Sequence, residues 1–254
     1  MAEARQADER PETVRELPVL GASAAAQMAV DDGLLDEARL VCARRYVWSP
    51  PAVSVGKNQK LGAGAADELA KAGLHLVRRP SGGRAVLHGE GFEWSFAVVF
   101  PRGLLPYGTA AAYRLVSGAF ATALAEVGVT TDAGRKGRYE RSALCFATAL
   151  RYDLLAGGEK AVAVAQAQRR GRVLVHGSVL ERRPPRDLTA AVEAALGEPW
   201  RGEGLAAAGS RVESEALWRA FLARLSASLS GDETHATQQT RETAGTAETT
   251  GTAA

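Results

Sequence analysis

The sequence predicts an α+β domain built on a mixed or antiparallel sheet. Three observations carry that expectation. Short strand-like runs follow one another directly, at 152–155, 161–165 and 172–180. Helical patterns interrupt them irregularly instead of following every strand, which argues against a doubly wound parallel sheet. Hydrophobic residues make up 46% and charged residues 24%, enough apolar material for a packed core.

The elements follow in chain order. Residues 23–40 favour a helix, with Met28, Leu34 and Leu35 as apolar points and Ser23 as N-cap. Residues 44–55 carry Tyr46, Val47, Trp48, Val53 and Val55 around Pro50-Pro51, a strand-turn-strand pattern. Residues 65–72 read as a helix closed by Gly73, and 74–79 as a short strand. Over 93–100, Trp94, Phe96, Val98 and Phe100 alternate onto one face of a strand. Residues 110–127 form a long apolar helix, followed by the three strands named above. Asp187 is expected to cap a helix running to Leu196. Ser210 and Glu213 suit a capping box opening a helix with Leu217, Phe221, Leu222 and Leu225 as apolar points.

Residues 1–16 and 230–254 hold too little apolar surface to offset their ordering entropy. The expected organisation is one folded domain over 17–229 between two disordered ends. The chain has 31 basic and 29 acidic side chains, a net charge of +2, which excludes a chain-wide polybasic design for nucleic acid. No apolar run approaches the roughly 18 residues of a membrane span. The N-terminus lacks the apolar stretch of a secretory signal. A cytoplasmic protein with neither a nucleic-acid nor a membrane partner is expected. Two cysteines, Cys42 and Cys145, exclude a disulfide scaffold or a zinc site built on thiolates. The four histidines show no ligand spacing, so no metal is expected. Cys42 reads as a buried structural thiol.

Two stretches can carry chemistry. The first is Arg78-Arg79-Pro80-Ser81-Gly82-Gly83-Arg84-Ala85-Val86-Leu87-His88. Its glycines let backbone N–H groups approach a carbonyl or anion, and its arginines suit a phosphate or carboxylate. On residues alone, a hairpin turn with solvated arginines stands beside that reading. The spacing matches neither a Walker A loop nor a dinucleotide fingerprint. The second stretch begins at Cys145-Phe146 and continues through Tyr152-Asp153-Leu154, Gly157-Gly158-Glu159-Lys160, Ala165-Gln166 and His176-Gly177-Ser178. A cysteine and a lysine sharing one pocket can perform acyl transfer, the thiolate attacking and the ammonium shuttling a proton. Taken singly, a core cysteine and a solvated lysine are the alternatives.

Together these motifs resemble the lipoate–biotin protein ligase and octanoyltransferase superfamily. The resemblance opens at Gln27-Met28-Ala29-Val30-Asp31-Asp32-Gly33-Leu34-Leu35 and runs through Arg45–Gly56 and Gln59. It takes in the Arg-Arg-Pro-Ser-Gly-Gly-Arg run as the family's signature loop and ends near His176-Gly177-Ser178. It implies a class II synthetase-like α+β fold, with a largely antiparallel sheet flanked by helices and a pocket for octanoyl or lipoyl chains. Cys-Phe followed by Tyr and an acid, then Gly-x-Lys and Ala-Gln, resembles the cysteine-dependent octanoyltransferase branch. Cys145 is then the nucleophile that takes octanoate from octanoyl-acyl carrier protein. Lys160 contacts the acyl carbonyl and moves protons. Arg78, Arg79, Ser81, Gly82, Gly83, Ala85, His88, Gln166, His176, Gly177 and Ser178 are the implied substrate-binding positions. The acceptor is a lysine of a lipoyl domain or a glycine-cleavage H-type protein, and no cofactor is needed.

The runner-up is an ATP-dependent lipoate–protein ligase, which uses ATP and Mg to make an acyl-adenylate. Three places in the chain depart from the family pattern. Ala163-Val164 stand for Gly-Ser, Ala149-Leu150 for Pro-Ser, and Gly91 for an acidic residue, with Glu90 and Glu93 beside it. Ala163-Val164 and Gly91 motivate a third account, a non-catalytic accessory paralogue. Two basic clusters, Arg135, Lys136, Arg138 and Arg141, and Arg169, Arg170 and Arg172, suit either a solvated surface or docking of an acidic carrier or lipoyl domain.

Overall fold

The computed structural model describes residues 14–105, 109–134, 142–209 and 211–230. The order is β1 Arg15–Glu16, β2 Leu20–Ala22, α1 Ala24–Glu37, β3 Cys42–Trp48, β4 Ala52–Val55, α2 Ala65–Lys71, β5 His75–Arg78, β6 Val86–His88 and β7 Glu93–Pro101. Then come α3 Ala110–Glu126, β8 Thr131–Ala133, β9 Leu154–Ala156, β10 Glu159–Arg169, β11 Arg172–Leu180, α4 Arg186–Leu196 and α5 Ser214–Ser230.

The strands form two sheets. The large one runs β1-β3-β7-β11-β10-β9-β8, with β2 also on β3. Its β1 and β2 lie parallel to β3, and every other pairing is antiparallel. The small sheet runs β5-β4-β6. The α+β expectation holds, with a mixed, largely antiparallel central sheet. Among the described residues no helix is long and apolar enough to cross a membrane.

Local signals account for most boundaries. Ser23 Oγ accepts from the Ala26 N–H at 3.4 Å and starts α1, which stops at Glu37, three residues before the expected Leu40. Pro50-Pro51 separates β3 from β4 as expected, but the turn carries the two strands into different sheets. Gly73 has φ 71°, the left-handed geometry of a C′ residue behind α2. Arg15 and Glu16, read from sequence as part of the N-terminal segment, pair with Cys42 and Ala43.

Two caps differ from expectation. Asp187 sits inside the first turn of α4, and the cap position belongs to Pro185, whose ring fixes an extended entry at φ −51°. The Asp187 carboxylate faces the positive end of the helix instead. The carbonyl of Glu213 accepts the first bond of α5 from Leu217 at 3.1 Å, so this helix starts later than a Ser210 cap would place it. Ser210 lies outside the described residues.

One face of the large sheet is the main core. Trp94, Phe96, Val98 and Phe100 pack there against Phe120 and Leu124 of α3 and Leu217, Trp218, Phe221 and Leu225 of α5. Leu222, expected among the apolar points, is only partly buried. Phe120 and Phe221 stack at 3.9 Å between ring centroids. Each such side chain contributes about 1.5–3 kcal/mol by burial. The opposite face receives α1, through Met28 and Leu35, and the small sheet, whose outer side is covered by α2 and α4 through Leu69 and Val192. The space between the two sheets holds the site.

Candidate active site

Cys145 is fastened to the signature loop by backbone alone. The Ala85 N–H donates to the Ala143 carbonyl at 3.0 Å, and the Cys145 N–H donates to the Ala85 carbonyl at 2.9 Å. Ala85 therefore serves through its main chain. Lys160 comes from β10, where a bulge between Lys160 and Val162 breaks the register and re-aims the side chain. Its Nζ stands 3.5 Å from Cys145 Sγ and 2.8 Å from Asp153 Oδ2. Asp153 is itself fixed, accepting from the N–H groups of Leu150 at 2.7 Å and Val164 at 3.2 Å. Burial works against the Lys160 ammonium, but Cys145 and the Asp153 carboxylate outweigh it and hold its pKa above the ordinary lysine value. The thiol is half-buried, and the lysine and aspartate are buried. The expected cysteine–lysine pair is assembled.

A cavity of about 180 Å³ opens from this pair, far more than one ordered water needs. Its floor is a row of directly opposed residues across four strands, Ala163, Ser178, Ser95 and Tyr46. Ala163, one of the departures from the family pattern, thus puts a methyl group under the cavity. His88, His176, Gly177, Gly83 and Arg84 also line it.

The signature loop is held from both sides. Arg79 is buried and donates through Nη1 to the Ser54 carbonyl and Oγ, both at 3.0 Å. Through Nη2 it reaches the carbonyls of Gly82 at 3.1 Å and Arg84 at 2.7 Å. Ser81 Oγ lies 2.6 Å from His176 Nε2, and His176 Nδ1 lies 2.8 Å from Asp31 Oδ2. Arg44 donates to Asp31 Oδ1 at 2.6 and 3.0 Å. Burial opposes the Asp31 charge, yet the hydrogen bond from His176 and the charge of Arg44 prevail and lower its pKa. Gly83, at φ 100°, crosses directly over Gly56: a Cβ added at Gly56 would meet the Gly83 carbonyl oxygen at 2.1 Å.

Several expected binding residues are placed elsewhere. Arg78 lies outside the cavity and spans the carbonyls of Gly56, Lys57 and Gln59 at 2.6, 3.1 and 2.9 Å. From sequence these arginines suited either an anion or solvent; Arg78 is taken up by main-chain carbonyls outside the cavity, and Arg79 lines the cavity while holding carbonyls of β4 and the loop. Gln166 falls on β10 opposite Val175, beyond the cavity-lining 163–165 segment. Ser81 and Gly82 shape the loop without lining this cavity; Gly82 lines a neighbouring polar one with Asn58 and Glu198. Cys42 is buried in β3, as read, and burial raises its pKa.

Of the basic clusters, Arg169 is taken up by Asp36 at 2.6 Å and Asp32 at 2.9 Å, and Arg172 by the Ala38 carbonyl at 2.5 Å. These side chains tie β10 and β11 to α1, and Arg170 between them stays exposed, 3.9 Å from Asp36. The cluster at 135–141 lies outside the described residues. Sequence reasoning missed the roles of Asp31, Asp153, Ser54, Glu93 and Ser95. A signal existed for Asp31, an acid on the same helical stripe as Met28 and Leu35.

The sequence profile of the lipoyl protein ligase A/B catalytic domain matches residues 23–214. The chain is 39% identical over 145 residues to the octanoyltransferase LipM of Symbiobacterium thermophilum, covering 54% of this chain and 52% of that protein. It is 38% identical over 162 residues to the LipM of Moorella thermoacetica, covering 60% and 59%. The match thus spans about half to three-fifths of these curated relatives. In fold it is similar to the bipartite lipoate protein ligase of Thermoplasma acidophilum, with TM-score 0.63, 20% identity and coverage of 85% and 83%. It is similar too to Ta0514 of T. acidophilum with bound lipoic acid, with TM-score 0.65, 21% identity and coverage of 85% and 86%. With the signature loop, the cysteine and the lysine all inside the matched span, the chain belongs to the lipoyl protein ligase A/B catalytic-domain family.

Proposed function

We propose that this protein moves a medium-chain acyl group, octanoyl or lipoyl, from acyl carrier protein to a lysine of a lipoyl domain or H-type protein. The observation that carries the reading is Cys145 Sγ at 3.5 Å from a buried Lys160 ammonium at the edge of a cavity of about 180 Å³. The similarity to LipM octanoyltransferases supports the same reaction.

The chemistry balances within the site. The Cys145 thiolate, with the Lys160 ammonium as its countercharge, attacks the carrier's thioester carbonyl. The carrier sulfur leaves with a proton from Lys160. The acceptor amine then attacks the Cys145 thioester, an amide forms, and Lys160 takes back a proton as the thiolate is regenerated. Thioester to amide runs downhill, so this route uses no ATP and no cofactor. Asp153 keeps Lys160 pointed at the sulfur throughout. We read the catalytic domain as the whole folded segment and the working compartment as the cytoplasm, where the thiol stays reduced.

Incubation with octanoyl-acyl carrier protein, without ATP, followed by intact mass measurement tests this. An octanoyl adduct that is absent in Cys145→Ser is expected. ATP-dependent modification of a lipoyl domain with no adduct would move the assignment to a ligase. Neither result would leave the accessory account.

A further inference from the structure

Two buried ionic groups, Arg79 on the cavity wall and Glu93 behind it, are bridged by side chains that line the cavity. Arg79 makes its four hydrogen bonds to neutral acceptors. Glu93, 2% exposed, gathers its donors on one oxygen: Ser178 Oγ at 2.5 Å, Ser95 Oγ at 2.6 Å and His88 Nδ1 at 3.1 Å. Between them stand Ser54 and His88, with Ser54 Oγ 2.8 Å from His88 Nε2.

The carboxylate fixes the roles along this chain, because Glu93 Oε1 only accepts and the His88 nitrogen facing it is Nδ1. A guanidinium only donates, so Ser54 Oγ accepts from Arg79, and its own proton is free to go to His88 Nε2. His88 therefore carries its proton on Nδ1 and gives it to Glu93 Oε1. Ser95 also donates to that oxygen and in turn accepts from Trp48 Nε1 at 2.8 Å, while the Trp48 ring stacks on His88 at 4.1 Å. The acid that the family pattern places at 91 is missing, and Gly91 there has φ 85°, a turn conformation.

We infer that Glu93 is a positioning residue for the acyl site, in place of the acid missing at 91. It fixes the His88 tautomer, and through Ser54 it keeps Arg79 on the carbonyls of Gly82 and Arg84, next to Cys145. Its effect on transfer rests on the reading given under Proposed function; its effect on His88 does not.

The test has two arms. Nitrogen-15 NMR of the histidines in the free protein reads the tautomer directly. Native His88 is expected with Nδ1 protonated and Nε2 bare. Glu93→Gln moves the proton to Nε2, because an amide can turn its NH2 toward the ring. A native His88 protonated on Nε2 overturns the inference. The second arm follows single-turnover acylation of Cys145 by octanoyl-acyl carrier protein. Glu93→Gln is expected to slow it about tenfold, the weight of one charge-assisted hydrogen bond over a neutral one. In a Ser54→Ala background, where the relay is already cut, it should slow acylation no further. An equal loss in both backgrounds marks Glu93 as merely structural. His88→Gln, paired with Ser54→Ala in the same way, replaces Glu93→Gln should that variant not fold. Failure of the native protein to acylate overturns the transfer reading, while the NMR arm still decides the relay.

Discussion

The two faces of β7 are made from alternate residues of one nine-residue strand, and they behave as different materials. Trp94, Phe96, Val98 and Phe100 point into an aromatic core that α3 and α5 close. On the other side Ala97 and Val99 pack toward α1, while Glu93 and Ser95, at the cavity end, enter hydrogen bonds with His88, Ser178 and Trp48. Both faces are equally dry. What separates them is that the core face is held by area, which is forgiving of direction, and the cavity face by donors and acceptors, which are not. Substitutions on the core face should therefore cost stability at every pH. Those on the cavity face should cost activity or pH tolerance.

The largest effect expected is on the cavity side. Lys160→Met should lower Cys145 acylation by about a thousandfold or more, in the range of losing a member of a nucleophile–base pair. Quenched intact-mass kinetics checks this, and a small loss would break the comparison at its strongest point. On the core side, Phe120→Ala should cost about 3–5 kcal/mol in urea unfolding, with the same loss at pH 5 and pH 8.

Asp31→Asn probes the boundary between the two. It leaves buried Arg44 without its carboxylate, a loss of about 3–5 kcal/mol at neutral pH. The Asp31 pKa is lowered on folding, so the native protein has this stabilisation above the ordinary value of 3.8 and loses it as pH falls through the folded value. The variant should show a flatter acid limb, measured as unfolding midpoint against pH. Smallest of all, Arg169→Ala, in an exposed pair with Asp32 and Asp36, should change stability by no more than about 1 kcal/mol, and less in high salt.

The same contrast explains what could be read from the sequence. The core face of β7 was legible because alternation of large apolar residues has a period that any window of the chain displays. Cys145 and Lys160 were legible through the motifs around them. The arginines of the signature loop stayed ambiguous because charge alone does not say whether a guanidinium meets a ligand or its own carbonyls. The networks behind Ser81 and His88 were invisible for a related reason. Asp31 reaches His176 across 145 positions, and Ser178 reaches Glu93 across 85, and no local pattern encodes such pairings.

The crossing of Gly56 over Gly83 has a consequence for how this protein can vary. Two main chains touch there with nothing between them, so the clearance has no side chain through which it could be tuned. In a saturation library, Gly56 should be a position with no tolerated alternative, alanine included. Gly62, six residues on with nothing within 4 Å of its missing Cβ, should accept most replacements. The position of Gly83 on the cavity wall is in that sense set by the thickness of the polypeptide itself.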